Sequence, residues 1–214
     1  NHHNPAIEAT FKCEDAYFDN TVVDKKLDQL NFVGHFTNGE KRDPSTMEFT
    51  LNDFTARPEV GIIKADLSLK NFDKPDIKLK LNTDFKLEFL AKFFNLTNLK
   101  DMGGKIELLM NFHDIIDFDN PEVAIERLNE SYYTQLKVED LSFMVDNGKE
   151  VPIKDVDLFA KVEGHKATID YCNLVVGKSD LSLKGTISDL PAVIHHTNIP
   201  VDTRLSIKRK FLDI

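Results

Sequence analysis

Apolar and polar residues alternate along most of the chain. Leu30, Phe32, Gly34 and Phe36 fall two apart, as do Met47, Phe49 and Leu51, then Ala65, Leu67 and Leu69, then Ile77, Leu79 and Leu81. The second half repeats the habit with Leu136 and Val138, Leu141, Phe143 and Val145, Val156, Leu158, Ala160 and Val162, then Ala167, Ile169 and Tyr171, Leu181, Leu183, Gly185 and Ile187, and Leu205 and Ile207. A period of two is that of a strand with one face dry and one face wet. Between these segments stand turn signals: TNGEKRDPS at 37–45, NFDKPD at 71–76, DNGKEVP at 146–152, EGHK at 163–166 and VGKSD at 176–180. Short polar connections of this kind join neighbours in antiparallel order. The pattern therefore predicts a mainly β fold: one large, curved antiparallel meander sheet, taco-like or gutter-like, of about 10 to 12 amphipathic strands.

Two features break the alternation. The apolar set changes parity between Val138 and Leu141 and between Tyr171 and Leu174, so the strands must bulge there to keep one side inward. In 85–96, Phe85, Phe89, Leu90, Phe93, Phe94 and Leu96 recur at helical spacing after a cap at Thr83 or Asp84, which predicts a helix lying on the apolar face as a cap. Asn120 and Pro121 open a second helix candidate over 120–130. The phrase DLSLK occurs twice, at 66–70 and 180–184, and in each case alternating residues and a short apolar segment follow. It predicts degenerate repeat units near 60–96 and 174–214 within a single domain spanning 1–214.

Composition narrows the function classes. Hydrophobic residues make up 41% and charged residues 29%, the proportions of an ordered globular chain. The net charge of −9, with no basic cluster denser than SIKRKF at 206–211, argues against nucleic acid as a partner. No apolar run reaches the roughly 20 residues of a membrane-spanning helix. The chain starts at Asn1 and ends in a strand-like RLSIKRKFLDI, so it reads as a fragment of a longer protein. Cys13 and Cys172 are too few for a disulfide framework or a zinc site, and whether they pair is left open by the sequence. MGGK at 102–105 lacks the upstream glycine and the Ser or Thr of a phosphate loop. His113, Asp114, Asp117 and Asp119 lack the glycine and distal glutamate of a calcium loop, and adjacent His195 and His196 would point to opposite sides of an extended chain. No nucleophile with a base stands out, and no catalytic residue, metal or cofactor is expected.

What remains is the apolar face. Adjacent strands lie about 4.8 Å apart, so ten of them make an apolar surface tens of ångströms wide, while a helix of about 12 residues covers only three or four strands. The face closes on itself as a core, or it holds apolar ligand. The candidate residues for it are Leu67, Leu69, Ile77, Leu79, Leu81, Leu158, Leu181, Leu183 and Ile187, with Phe85, Phe89, Phe93 and Phe94 in the cap.

The run VPIKDVDLFAKVEGHKATIDYCNLVVGKSDLSLKGTISDL, 151–190, resembles the C-terminal region of AsmA-like proteins. The recurrent phrase of that family is met by Gly177, Ser179, Leu181, Leu183, Gly185, Ile187, Asp189 and Leu190. The stretch 65–94 is similar to the family's other phrase, a strand ending in a short helix. The resemblance implies a non-enzymatic Gram-negative cell-envelope protein with a periplasmic β-groove like those of TamB-like and bridge-like lipid transfer proteins. It also implies an anchor to the inner membrane through a segment outside this chain, phospholipid or another acyl-chain lipid as the cargo, envelope proteins as possible partners, and a part in outer-membrane biogenesis or lipid homeostasis. The alternative is a periplasmic structural or interaction module with a closed apolar core and no lipid.

Overall fold

A computed structural model describes residues 4–21, 25–89, 99–115, 133–146, 150–190, 193 and 200–209. The strands are β1 (Glu8–Asn20), β2 (Lys25–Thr37), β3 (Glu48–Arg57), β4 (Gly61–Lys70), β5 (Asp76–Lys86), β6 (Leu99–Ile115), β7 (Tyr133–Asp146), β8 (Glu150–Glu163), β9 (Lys166–Val176), β10 (Ser179–Ile187) and β11 (Thr203–Lys208). They form one eleven-stranded antiparallel sheet in which every strand pairs with its neighbours in sequence, from β1 at one edge to β11 at the other. The sheet is open, since β1 and β11 do not pair with each other. This is the meander that the alternation and short turns predict. Both copies of DLSLK lie on strands, the first ending β4 and the second beginning β10.

The strands are far from straight. Asp15, Gln29, Asp53, Asp101, Asp140 and Asp155 all have positive φ, between 47° and 54°, and at each the pairing register shifts. Each is the third residue of a four-residue phrase with apolar ends: CEDA at 13–16, LDQL at 27–30, LNDF at 51–54, LKDM at 99–102, VEDL at 138–141 and IKDV at 153–156. One extra residue in the left-handed region makes two polar residues oppose one on the neighbouring strand, which returns the next apolar side chain to the apolar face and bends the strand. Aspartate tolerates that conformation better than most residues because its short side chain can bond locally. Here the neighbouring strand adds a second support. Asp15 N–H donates to Asn31 Oδ1 (2.9 Å), Asp53 N–H to Asp66 Oδ1 (2.9 Å) and Asp140 N–H to Asp157 Oδ1 (3.0 Å). Ile62, beside Gly61 at the start of β4, donates to Asp84 in the same way (2.8 Å). Asp66 and Asp157, at outward positions of β4 and β8, thus accept the backbone N–H groups that the bulges free. The parity change at Val138 and Leu141 is one of these bulges, whereas in β9 the irregularity falls at Asp170, between Ile169 and Tyr171, ahead of the predicted place.

Asn38 fastens the start of β1. Its buried amide accepts from Ile7 N–H (2.8 Å) and donates to the Pro5 carbonyl (2.8 Å), and its backbone carbonyl accepts from Thr46 Oγ1 (2.9 Å). Thr46 closes a 3-10 turn, Pro44–Thr46, capped by the Asp43 carboxylate. Asn38→Ala leaves Ile7 N–H and the Pro5 carbonyl without these partners, so chemical denaturation is expected to show a loss of about 2 kcal/mol.

Among the described residues, besides Gly34, Asn38, Pro58 and Pro75, the buried residues fall in two patches. In the first, Ala56 (1% exposed), Thr83, Phe85 and Val138 occupy neighbouring rows where β3, β5 and β7 meet one end of the apolar face, and Phe89 (4%) is buried just beyond the end of β5. The second is Ala167 at the start of β9, where Leu190 N–H bonds the His165 carbonyl and Val193 N–H bonds the Asp189 carbonyl in a helical turn. The predicted cap helix begins two residues later than expected. Phe85 continues the alternation of Leu81 and Thr83, pairs with Gly61 and Ile106, and belongs to β5, as do the proposed cap residues Thr83 and Asp84. Helix occupies 87–89 and includes Phe89; Phe93 and Phe94 lie outside the described residues, as does the second candidate at 120–130.

Candidate functional site: the apolar face

Residues directly opposite one another on paired strands point to the same side, so the register maps the apolar face row by row. One row runs Phe85, Ile106, Val138, Leu158, Cys172, Leu183 and Ile207 from β5 to β11. A second runs Phe54, Ala65, Leu81, Met110, Thr134, Val162, Ala167 and Ile187. A third runs Phe11, Gly34, Leu51, Leu67, Leu79 and Phe112, and a fourth Phe36, Phe49, Leu69 and Ile77. The face is therefore continuous from one edge of the sheet to the other. All nine residues named from the sequence lie on it, Leu181 opposite Leu174. Lys70, Lys78, Lys80 and Lys184 are exposed on the other side, with Asp157, Lys161 and Ser182 half-buried there.

Leu67, Leu69, Ile77, Leu79, Leu81, Leu158, Leu181, Leu183 and Ile187 are all only half-buried. At the edges exposure rises, to 39% for Phe11, 46% for Leu205 and 60% for Ile207. The chain exposes 13924 Å2, against about 10,000 Å2 for a compact monomer of the same mass. An apolar sheet that had folded onto itself would bury these rows fully; this one leaves the side chains between the two covered patches open.

An aromatic cluster lines the β1–β3 end. The Phe11 ring lies directly on Gly34, where a Cβ would sit 2.1 Å from it, and so reaches across β2 to stack with Phe49 (6.3 Å between centroids). Phe32 meets Phe11 edge-on (6.1 Å) and stacks with Phe54 (6.3 Å). Gly34 thus serves to let a ring lie flat against the sheet. Few polar groups interrupt the face: the Thr83 and Thr134 hydroxyls are buried there without a hydrogen-bond partner among the described residues, and Cys172 sits between Leu158 and Leu183, where burial raises its pKa and keeps it a thiol.

The outer face carries the charge. Asp84, Lys105, Glu107, Lys137 and Glu139 form a chain of contacts across β5, β6 and β7 (Lys105–Glu107 2.8 Å, Lys137–Glu139 2.7 Å). The hydrogen bond from Lys105 holds the Glu107 carboxyl below its usual range, and bonds to Glu107 and Glu139 raise Lys105 and Lys137 respectively. These groups are about a third exposed, so water screens each pair strongly. His113 pairs with Asp76 (2.9 Å), and the candidate acidic segment beyond Ile115, like His195 and His196, lies outside the described residues. Among the described residues, no three His, Cys, Asp or Glu side chains gather closely enough to hold a metal ion. The glycines of MGGK lie in β6, where Gly104 passes the Asp140 bulge of β7.

Chemically, then, the arrangement offers an extended apolar surface backed by a charged outer face. Apart from the bulge at Asp140, which the parity change between Val138 and Leu141 marks, the bulge residues and the acceptors Asn31, Asp66, Asp84 and Asp157 were the part of the architecture that alternation alone misses; the repeated apolar–polar–Asp–apolar phrase is the signal that finds them. No family model matches the chain, and no curated protein and no solved structure matches it at a significant level. Among the described residues no helix is long and apolar enough to cross a membrane.

Proposed function

We propose that this chain is a non-enzymatic, AsmA-like lipid-holding domain, in which acyl chains of phospholipid lie along the apolar face of the open sheet. On this reading it works in the periplasm of a Gram-negative cell, attached to the inner membrane by a segment outside this chain, and serves outer-membrane biogenesis or lipid homeostasis. The observation that carries the proposal is the half-exposure of a continuous apolar face eleven strands wide. Water against that face costs about 25 cal/mol per Å2, and acyl chains remove the cost without requiring a shape-specific pocket. The charged outer face keeps the other side wet.

Gentle extraction of the protein followed by mass spectrometry of the bound lipid tests the reading. Co-purifying phospholipid at about one or more molecules per chain is the expected result. Protein that emerges clean, and that takes up no phospholipid when mixed with it, would instead favour a structural or interaction module without lipid cargo.

A further inference from the structure

At the β11 edge the outer face carries an ordered grid of cations and hydroxyls. On β10 the outward residues run Thr186, Lys184, Ser182, and on β11 they run Arg204, Ser206, Lys208, with Thr186 opposite Arg204, Lys184 opposite Ser206 and Ser182 opposite Lys208. Every cation thus faces a hydroxyl across the strands, and its diagonal neighbours are cations, at about 7–8 Å between Cα atoms. No carboxylate stands inside the grid. Those nearby are Asp202, 3.2 Å from Arg204, Asp170, 3.7 Å from Lys161, and Asp180, one place beyond Ser182 on the same side of β10. Lys184 and Lys208 make no ion pair with the described residues. Ser182 Oγ donates to Asn173 Oδ1 (2.6 Å).

The surface here is also hollowed. A depression of about 500 Å3 lies beside the β9 bulge; its walls include Lys184, Thr186, Arg204 and Ser206 and also Asp170, whose carboxylate is directed to Lys161 (3.7 Å). A smaller one of about 150 Å3 adjoins it and reaches Ser182 and Lys208. The opposite edge of the sheet has the contrary character: the outward residues of β1 include Glu8, Glu14, Asp15 and Asp19 against one cation, Lys12. In a chain of net charge −9, this local reversal selects for sign.

We propose that the outer face of β10 and β11 is a binding site for a phosphate-bearing anion. Lys184 and Arg204 supply charge to the phosphate oxygens, with the Thr186 and Ser206 hydroxyls donating between them, and Lys208 engages a second anionic group or a further oxygen of the same ligand. The site lies on the side of the sheet opposite the apolar face and does not rest on the acyl-chain reading. A soluble phosphate monoester and the phosphate of an anionic headgroup share the chemistry it recognises.

Backbone amide shifts followed by NMR test it, with the 214-residue chain titrated separately with glycerol 3-phosphate and with vesicles of phosphatidylglycerol. Shifts centred on 182–186 and 204–208 are expected. K184Q/R204Q is expected to weaken the interaction about tenfold or more, while K184R/R204K retains it and K78Q/K80Q, on the same face of β5, changes it less than about twofold. A response to the monoester assigns a soluble ligand, and a response to vesicles alone assigns a headgroup. Absence of shifts at the grid with both probes overturns the site, and so does an equal loss in K78Q/K80Q, which would reduce the effect to diffuse charge.

Discussion

Phe89→Asp is expected to lower stability in chemical denaturation by about 5 kcal/mol, whereas Lys86→Asp, three residues earlier and exposed, changes it by less than about 0.5 kcal/mol. Phe89 is 4% exposed and sits where the chain turns from β5 into helix. It follows β5 at a corner of the apolar face where Ala56, Thr83, Phe85 and Val138 are also sealed from water. A carboxylate placed there loses the ring's burial and must either remain charged in an apolar contact or take up a proton. Unchanged stability in Phe89→Asp would mean that the corner is covered by something other than this turn. The charge should leave the exposed rows further across the sheet undisturbed, so binding to the open part of the face is expected to survive in protein that remains folded.

Gly104→Val is the second large effect, expected at about 3–6 kcal/mol, and Gly103→Ala beside it at about 1 kcal/mol or less. Gly104 has φ of 106°, a conformation closed to valine without strain, and a Cβ there would stand 2.5 Å from the Leu141 Cα, which is backbone and cannot swing aside. Gly103 lacks the positive φ and would meet only the Ser142 hydroxyl at 3.1 Å. The two glycines look alike in sequence. Only the register, with the Asp140 bulge of β7 pressed against β6, separates them. Equal effects of the two substitutions would contradict that placement.

Much of this architecture is legible in the residues. Alternation locates the strands because side chains on a pleated strand change sides at every step, and the short polar turns leave little choice but antiparallel order. It identifies Leu67, Leu79, Leu158 and Leu183 as sharing one side for the same reason. It fails where local and long-range signals compete. Phe85 fits a helical spacing with Phe89 as well as it fits the period of β5, and pairing with Ile106 decides for the strand. Except where parity changes, as between Val138 and Leu141, the bulges hide because an Asp at an outward position looks like any solvated carboxylate; the acceptor of its N–H, such as Asp66 for Asp53 or Asp157 for Asp140, lies 13 or 17 residues away on the next strand. Those supports arise only once the register exists. The exposure of the apolar face was likewise beyond periodicity, since an alternating strand reads the same whether a second layer, a neighbouring strand or an acyl chain covers it.

The central claim is that acyl chains occupy the apolar face, and photocrosslinking addresses it most directly. A phospholipid carrying a photoreactive group near the end of one acyl chain is bound to the protein, irradiated, and the attachment sites are mapped by mass spectrometry. The account predicts adducts at half-exposed positions of the apolar rows, such as Leu67, Leu79, Leu158, Leu183 and Ile207, and none at Lys78, Lys80 or Lys184 on the outer face. Adducts divided equally between the two faces, or no adduct at all in protein shown to be folded, would contradict it.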